Sequence, residues 1–366
     1  MVRSRLTIAN VRCYNETYGH HFEKKQVMNA TEIVLPGTVE PEGLQIATRK
    51  LPEPRPNQAV VRVEATGVSF AEQQMRRGKY YDQPPFPFVP GYDLVGTIER
   101  LGDGTVGDLA VGRRVAALTK TGAWADRVVL DAAELVPVPD GVGPAEAETV
   151  VVNGVTALRM LRAARVPAGE PIVVLGAAGG VGSTLVQLAR HAGIRVIGTA
   201  GPSAQDRVRE LGAIPVDYRN EDVPARVREL APNGVAAVFD HVGGPGIVDS
   251  WRMLAPGGTL ISYGTAATRD DAGNPRVPVL KLFARLLTWN LLPTGRRAKF
   301  FNLWAGARKR DRYRADLRRD LGEVLHLLHD GAIDAQIAKR FALRDAGKAL
   351  RYAEQGALVG KVVLEP

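Results

Sequence analysis

One stretch constrains the fold of this chain more than any other: Pro171 to Ala192, PIVVLGAAGGVGSTLVQLARHA. Ile172-Val173-Val174-Leu175 is a short apolar run rich in β-branched residues, the composition of a strand buried in a parallel sheet. Gly176, Gly179, Gly180 and Gly182 follow within seven positions. After them Val181, Leu185, Leu188, Ala189 and Ala192 fall at the spacing of one helix face. Strand, glycine turn and helix in this order form the first half of a dinucleotide-binding βαβ unit. The glycines permit a tight turn and a close approach of backbone to diphosphate, whose charge the helix N-terminus stabilises. Glycines at 176, 179 and 182 alone mark many ordinary turns, so the weight rests on the strand before them and the helix after. Residues 171–189 carry no charge, yet the glycines and the strand-like start argue against a continuous helix, and no membrane segment is expected.

At 366 residues the chain can hold two domains, each with its own core. Hydrophobic residues at 45% and charged residues at 24% are ordinary for a globular protein. Arg3 and Arg5 precede an apolar stretch that Asn10 and Arg12 interrupt, too short for a secretory core, so a cytoplasmic location is expected. The single cysteine, Cys13, excludes an intrachain disulfide and a multi-cysteine zinc site. Much of the net charge of +9 lies between Arg296 and Arg319. That stretch reads either as a patch for an anionic partner or as an arginine-rich solvated face. No stacking platform or nucleic-acid motif accompanies it, so no nucleic-acid partner is expected.

Residues 1–26 show no period and read as an irregular extension, in which His20-His21 is a surface tail rather than a metal site. Glu32 to Gly37 reads as the first strand. From 44 to 135 short strands alternate with proline and glycine punctuation: Ala59–Ala65, Leu94–Ile98, Arg114–Leu118 and Arg127–Leu130, with a helix over Phe70–Arg77. This predicts a partly open β-barrel. From about 145 helices and strands alternate. Helices are expected over Ala145–Arg162 and Ser203–Leu211, and strands at Arg195–Gly198, Ile214–Val216, Val235–Phe239 and Thr259–Ser262. Such alternation demands a parallel sheet covered by helices. An amphipathic helix is expected over Asp316–His329, and the last strand, Gly360–Leu364, is expected to return to the first domain.

Dinucleotide selectivity is read at the end of the second strand, where a carboxylate about 20 residues past the glycines would bind the ribose of NAD. Here Gly198-Thr199-Ala200-Gly201-Pro202-Ser203 holds no acid before Asp206. With Ser203 and nearby Arg207, this favours NADP(H).

Several segments together resemble the medium-chain dehydrogenase/reductase superfamily, within it the zinc-independent quinone oxidoreductases of the zeta-crystallin and VAT-1 type. The resemblance runs from about Thr31 to Leu364. It is carried by Gly67-Val68-Ser69-Phe70, Arg76-Arg77-Gly78-Lys79-Tyr80, Pro90-Gly91-Tyr92-Asp93, Val152 to Ala157 and Gly176 to Gly182. Downstream it rests on Asp217-Tyr218-Arg219, Phe239 to Gly244, Leu254 to Gly264 and the closing Gly360 to Leu364. Gly122-Ala123-Trp124 is closer to the VAT-1 branch. The resemblance implies an α/β chain: a GroES-like partly open barrel from residues 27–150 and 305–366, and an inserted Rossmann doubly wound sheet over 151–304. It places Asn153 and Thr156 near the nicotinamide and its phosphate, Gly179, Gly180 and Val181 at the diphosphate, and Tyr218 at the adenine end. Thr199 and Ser203 would meet the adenosine side, and Val242, Gly264, Phe301 and Asn302 the nicotinamide. Two positions depart from the pattern. Ser69 stands where relatives often have asparagine, and Ala204 where a lysine often pairs with the 2′-phosphate, leaving Ser203, Tyr218 or Arg207 for that contact.

Zinc-dependent relatives carry Gly-His-Glu where this chain has Gly91-Tyr92-Asp93, so metal-polarised alcohol oxidation is not expected. What remains is hydride transfer from a reduced nicotinamide to an acceptor that is already electrophilic. Ser69, Tyr80 and Tyr92, with Tyr81, are candidate donors to its oxygen. The leading reading is an NADPH-dependent quinone or enone reductase. The others are an enoyl-thioester (CoA or ACP) reductase and a VAT-1-like binding protein with little turnover. An edge strand near Lys299–Asn302 would pair across a two-fold axis, so a homodimer is expected.

Overall fold

A computed structural model describes residues 28–104, 108–268, 276–356 and 358–366. The expected extension over 1–26, with Cys13 and His20-His21, lies outside the described residues.

The chain begins with a hairpin of β1 (Asn29–Val34) and β2 (Gln45–Lys50). Next come β3 (Gln58–Val68), the short helix α1 (Phe70–Arg76), β4 (Asp93–Leu101), β5 (Arg114–Leu118), β6 (Arg127–Asp131) and β7 (Val136–Pro137). The long helix α2 (Pro144–Ala164) leads into β8 (Pro171–Val174), α3 (Gly180–His191), β9 (Arg195–Ala200), α4 (Gln205–Glu210) and β10 (Ile214–Asp217). Then follow α5 (Val223–Leu230), β11 (Val235–Asp240), α6 (Ile247–Arg252), β12 (Leu254–Ser262), α7 (Arg276–Asn290) and β13 (Arg297–Phe300). The chain closes with α8 (Arg310–His329), β14 (Ile337–Ala342), α9 (Ala346–Glu354) and β15 (Lys361–Glu365).

Two sheets organise these elements. One is fully parallel, in the order β10-β9-β8-β11-β12-β13. Its apolar run is central: Ile172, Val173 and Val174 are fully buried, with β9 on one side and β11 on the other. Chain order reverses between β8 and β11, and a crevice opens beyond the carboxyl ends of strands at such a switch point. The other sheet runs β14-β15-β3-β4-β5-β7, with β6 pairing β3. β3 bends at two register shifts, which lets it pair with β4, β6 and β15 and curl the sheet into a partly open barrel. The chain end does return: Val363 pairs Gly67 in the antiparallel β15–β3 ladder. The architecture is therefore the GroES-like barrel and the inserted Rossmann sheet. α2 packs between them, against α3 and α8, so the 150/151 boundary falls inside a continuous helix.

The helix expected from Asp316 starts at Arg310. Its first turns lack an apolar stripe but carry inward ion pairs: Arg314 Nη2 lies 2.5 Å from Asp131 Oδ2 and 2.6 Å from Glu134 Oε1. Arg318 donates to the Leu135 carbonyl at 2.8 Å, and Arg319 pairs with Asp316 and Asp320. Arg314 and Arg318 are thus tied to the barrel, while Arg319, Arg312 and most other basic residues of the stretch face solvent. Among the described residues no helix is long and apolar enough to cross a membrane.

Candidate active site

The cleft lies between the two sheets, and one short bridge pins it. Gly179 pairs with Gly360, whose N–H donates to the Ala178 carbonyl at 2.9 Å. The glycine turn is correspondingly tight. Gly176 has φ of +67°, and its N–H donates to Thr199 Oγ1 at 3.1 Å. A Cβ at Gly182 would stand 2.1 Å from the Gly176 carbonyl oxygen, and one at Gly180 2.5 Å from Asn153 Nδ2. The turn leaves the helix N-terminus bare of side chains, the cradle that a dinucleotide diphosphate needs.

The cleft has two compartments, about 350 Å³ and 550 Å³, which share Gly176, Gly179, His241 and Leu358. The inner one is lined by Ser69, Tyr80, Tyr92, Asn153, Thr156 and Gly180, together with Val181, Gly264, Phe301 and Asn302. Phe301 and Asn302 stand just past the end of β13. The outer one is lined by Thr199, Tyr218 and Val242, so Val242 sits on the far side of His241 from Gly264. Ser203 is exposed on the Pro202–Ala204 turn and lines neither compartment.

At the inner end three side chains form a hydrogen-bonded chain. Trp304 Nε1–H donates to Tyr92 Oη at 2.5 Å, and the Tyr92 and Tyr80 hydroxyls lie 2.7 Å apart. Burial pushes the pKa of both tyrosines well up, so they stay neutral. Tyr81 donates to Asn302 Oδ1 at 3.4 Å. Ser69 is the N-cap of α1, with Ala71 N–H donating to its Oγ at 3.1 Å and its hydroxyl bonded to the buried Glu72 carboxylate. Burial, with nearby Asp93, raises the Glu72 pKa against the hydrogen bond from Ser69. Beneath the wall lies a buried ionic cluster. Lys361 Nζ is 2.6 Å from Asp93 Oδ2 and 2.5 Å from Glu148 Oε1. Burial pulls the Lys361 pKa down, but the two carboxylates outweigh it and the net displacement is upward. Burial is also the main cause holding Glu148 well above the usual carboxylate range.

Zinc does not fit this donor set, because the groups around Tyr92 are a phenol and an indole N–H, neither of them a usual zinc ligand. At the outer end, β9 finishes in Ala200, and neither it nor the Gly201 that follows carries a carboxylate. Arg219 stacks on Tyr218 at 5.9 Å, its Nε 3.8 Å from where a Cβ of Gly201 would lie. Arg207 is committed elsewhere, to Gln336 Oε1 at 2.6 Å and Glu210 at 2.7 Å.

Trp304, Lys361, Arg219 and His241 are site residues that sequence reasoning did not select. His241 had a local signal, since it follows the strand that flanks the switch point.

Fold and cleft define a medium-chain dehydrogenase/reductase. Residues 55–140 match the alcohol dehydrogenase GroES-like domain family, and residues 211–364 the family described as zinc-binding dehydrogenase. The synaptic vesicle membrane protein VAT-1 homolog of Rattus norvegicus is 30% identical, over 86% of this chain and 78% of its own. A probable quinone oxidoreductase of Schizosaccharomyces pombe is 30% identical over 88% of this chain and 92% of its own. The crystal structure of Escherichia coli quinone oxidoreductase complexed with NADPH superposes with a TM-score of 0.80 at 25% identity, covering 92% of this chain and 100% of that one. The chain belongs to the quinone oxidoreductase and VAT-1-like branch of that superfamily.

Proposed function

We propose that this protein is an NADPH-dependent, zinc-independent reductase that passes a hydride to a quinone or an activated enone. The observation that carries the reading is the placement of an aromatic, hydroxyl-bearing wall at one end of a dinucleotide cradle. The other end is formed by a rim that holds Tyr218, with Arg219 stacked on it beside Gly201 and no carboxylate at the end of β9; Asp249 lines the opposite part of this compartment. Arg219 and Tyr218 would meet the 2′-phosphate, taking the place assigned to Ser203 or Arg207 from the sequence. When bound, the reduced nicotinamide supplies the hydride from its C4.

The residues of the chain then position the acceptor and receive developing charge. Trp304 can only donate, so the Tyr92 oxygen accepts from it, and either hydroxyl of the Tyr92–Tyr80 pair can donate to the other. With Tyr92 as the donor of that pair, the Tyr80 hydroxyl would turn its hydrogen to an acceptor oxygen. Kept neutral by burial, Tyr80 acts as a hydrogen-bond donor to the oxyanion. A planar acceptor would lie among Phe301, Trp304 and Tyr80, whose aromatic faces line the compartment and would displace water from it. Because Tyr92 is already engaged by its neighbours, the acceptor must carry its own activation, as quinones and enones do.

The ties of Arg314 to Asp131 and Glu134, and of Arg318 to the Leu135 carbonyl, withdraw part of the basic stretch and favour this reading over a thioester reductase that uses it. A cytoplasmic homodimer joined through β13, one of the two edges of the parallel sheet, belongs to the same proposal. The test is NADPH oxidation across quinones, enones and 2-enoyl thioesters, with NADH in parallel. Turnover of quinones or enones with NADPH is expected. Preference for enoyl thioesters, or binding without any turnover, would overturn it in favour of the reductase or binding-protein alternatives.

A further inference from the structure

His241 is the polar side chain that both compartments share. Its ring stands against the first glycine of the turn: a Cβ at Gly176 would lie 2.4 Å from His241 Cε1. Its backbone is held on both sides. Asp240 accepts from the N–H groups of Val242 and Gly243 at 2.8 Å each and from Ser250 Oγ at 2.7 Å, while the His241 carbonyl accepts from Ala266 N–H at 3.0 Å. The ring packs 5.9 Å from that of Tyr263. Nδ1 is buried and has no hydrogen-bond partner. An orphaned buried nitrogen normally costs stability and is satisfied by something, here in a cleft where a ligand must pass.

We propose that His241 is a coenzyme-binding residue, its imidazole meeting the diphosphate where the dinucleotide crosses from the outer to the inner compartment. This rests on the dinucleotide reading above. In the free protein burial holds the imidazole neutral, against the preceding Asp240 at the end of β11 and the Leu175 backbone just past β8, both of which favour the charged form. Tyr263, from the end of β12, is neutral because burial raises its pKa. The Asp240 carboxylate is spent on its three donors. A diphosphate against the ring adds negative charge within hydrogen-bond reach, raises the imidazole pKa and draws one proton from solution. Binding then weakens as pH rises, by up to about tenfold per unit between the free and bound pKa values.

The test is calorimetric titration of the full chain with NADPH near pH 7.5, in buffers of different ionisation enthalpy, for the wild type, His241→Gln and His241→Leu. Thermal melts confirm that the variants fold. The 2′-phosphate, whose second pKa is about 6, titrates in every case, so the His241 share is the difference between wild type and variants. Proton uptake in the wild type that both variants lose, with affinity reduced roughly tenfold or more, is the expected result. Equal affinity in all three proteins, or weaker binding with an unchanged proton count, would overturn the role of His241 while leaving the dinucleotide reading intact. No binding to the wild type would overturn the dinucleotide reading itself.

Discussion

Lys361→Met removes the cation of a buried cluster and keeps all but the last atom of the side chain's length. Lys361 is 2% exposed at its side chain, and the carboxylates of Asp93 and Glu148 are fully buried. At 2.6 Å from Asp93, the gross attraction is about 6 kcal/mol at an effective dielectric near 20. Desolvation of both partners offsets most of it. Removing one member of a buried pair nonetheless costs about 3–5 kcal/mol, because the remaining charge has neither water nor partner. At about 2 °C per kcal/mol for a chain of this length, the melting temperature should fall by roughly 6–10 °C at pH 8. The penalty also depends on pH. Burial already holds the Glu148 pKa above its unfolded value, and Lys361 is what opposes that rise. Without Lys361 it climbs further. A raised folded pKa gives stability that is complete below the unfolded value near 4.5 and lost as pH rises through the folded one. The variant's deficit should therefore be small near pH 5 and grow toward pH 8. Chemical denaturation across that range measures it. A deficit under about 1 kcal/mol at pH 8, or one independent of pH, would refute a buried charge cluster here.

Gly182→Ala places a Cβ 2.1 Å from the Gly176 carbonyl oxygen, so the turn must open. The chain should fold by circular dichroism while NADPH affinity falls at least about tenfold. Tyr80→Phe removes the hydroxyl aimed at the acceptor; kcat/KM should fall roughly 10²-fold in stopped-flow assays with NADPH affinity unchanged. Arg219→Ala should weaken NADPH binding by roughly tenfold and leave NADH unaffected by fluorescence titration, since only the former carries the 2′-phosphate.

The core of the parallel sheet was legible because its signals are local. β-branched Ile172 to Val174, the glycines and the helix stripe from Leu185 lie within one window, and the structure sets them as β8, turn and α3. What stayed hidden depends on distant partners. Arg314 reads as surface charge until Asp131 and Glu134, 183 and 180 positions upstream, are folded against it. Lys361 and Asp93 are 268 positions apart, so no spacing announces their pair. α7 shows no clean period because Leu282 and Leu286 face the core while Leu280 and Leu287, 66% and 65% exposed, do not. The two faces carry the same residue type. In the cleft, Asn153, Thr156 and Gly180 were named from their motifs and do line one compartment. Ser203 was chosen for its position in sequence, and the turn that carries it faces solvent.

Equilibrium titration of the full chain with NADPH and NADH at physiological salt tests the assignment of coenzyme most directly. NADPH should bind at least about tenfold more tightly, because Arg219 lies beside Gly201 and β9 ends without the carboxylate that would pair with the ribose of NAD. Equal affinities, or tighter binding of NADH, would contradict it.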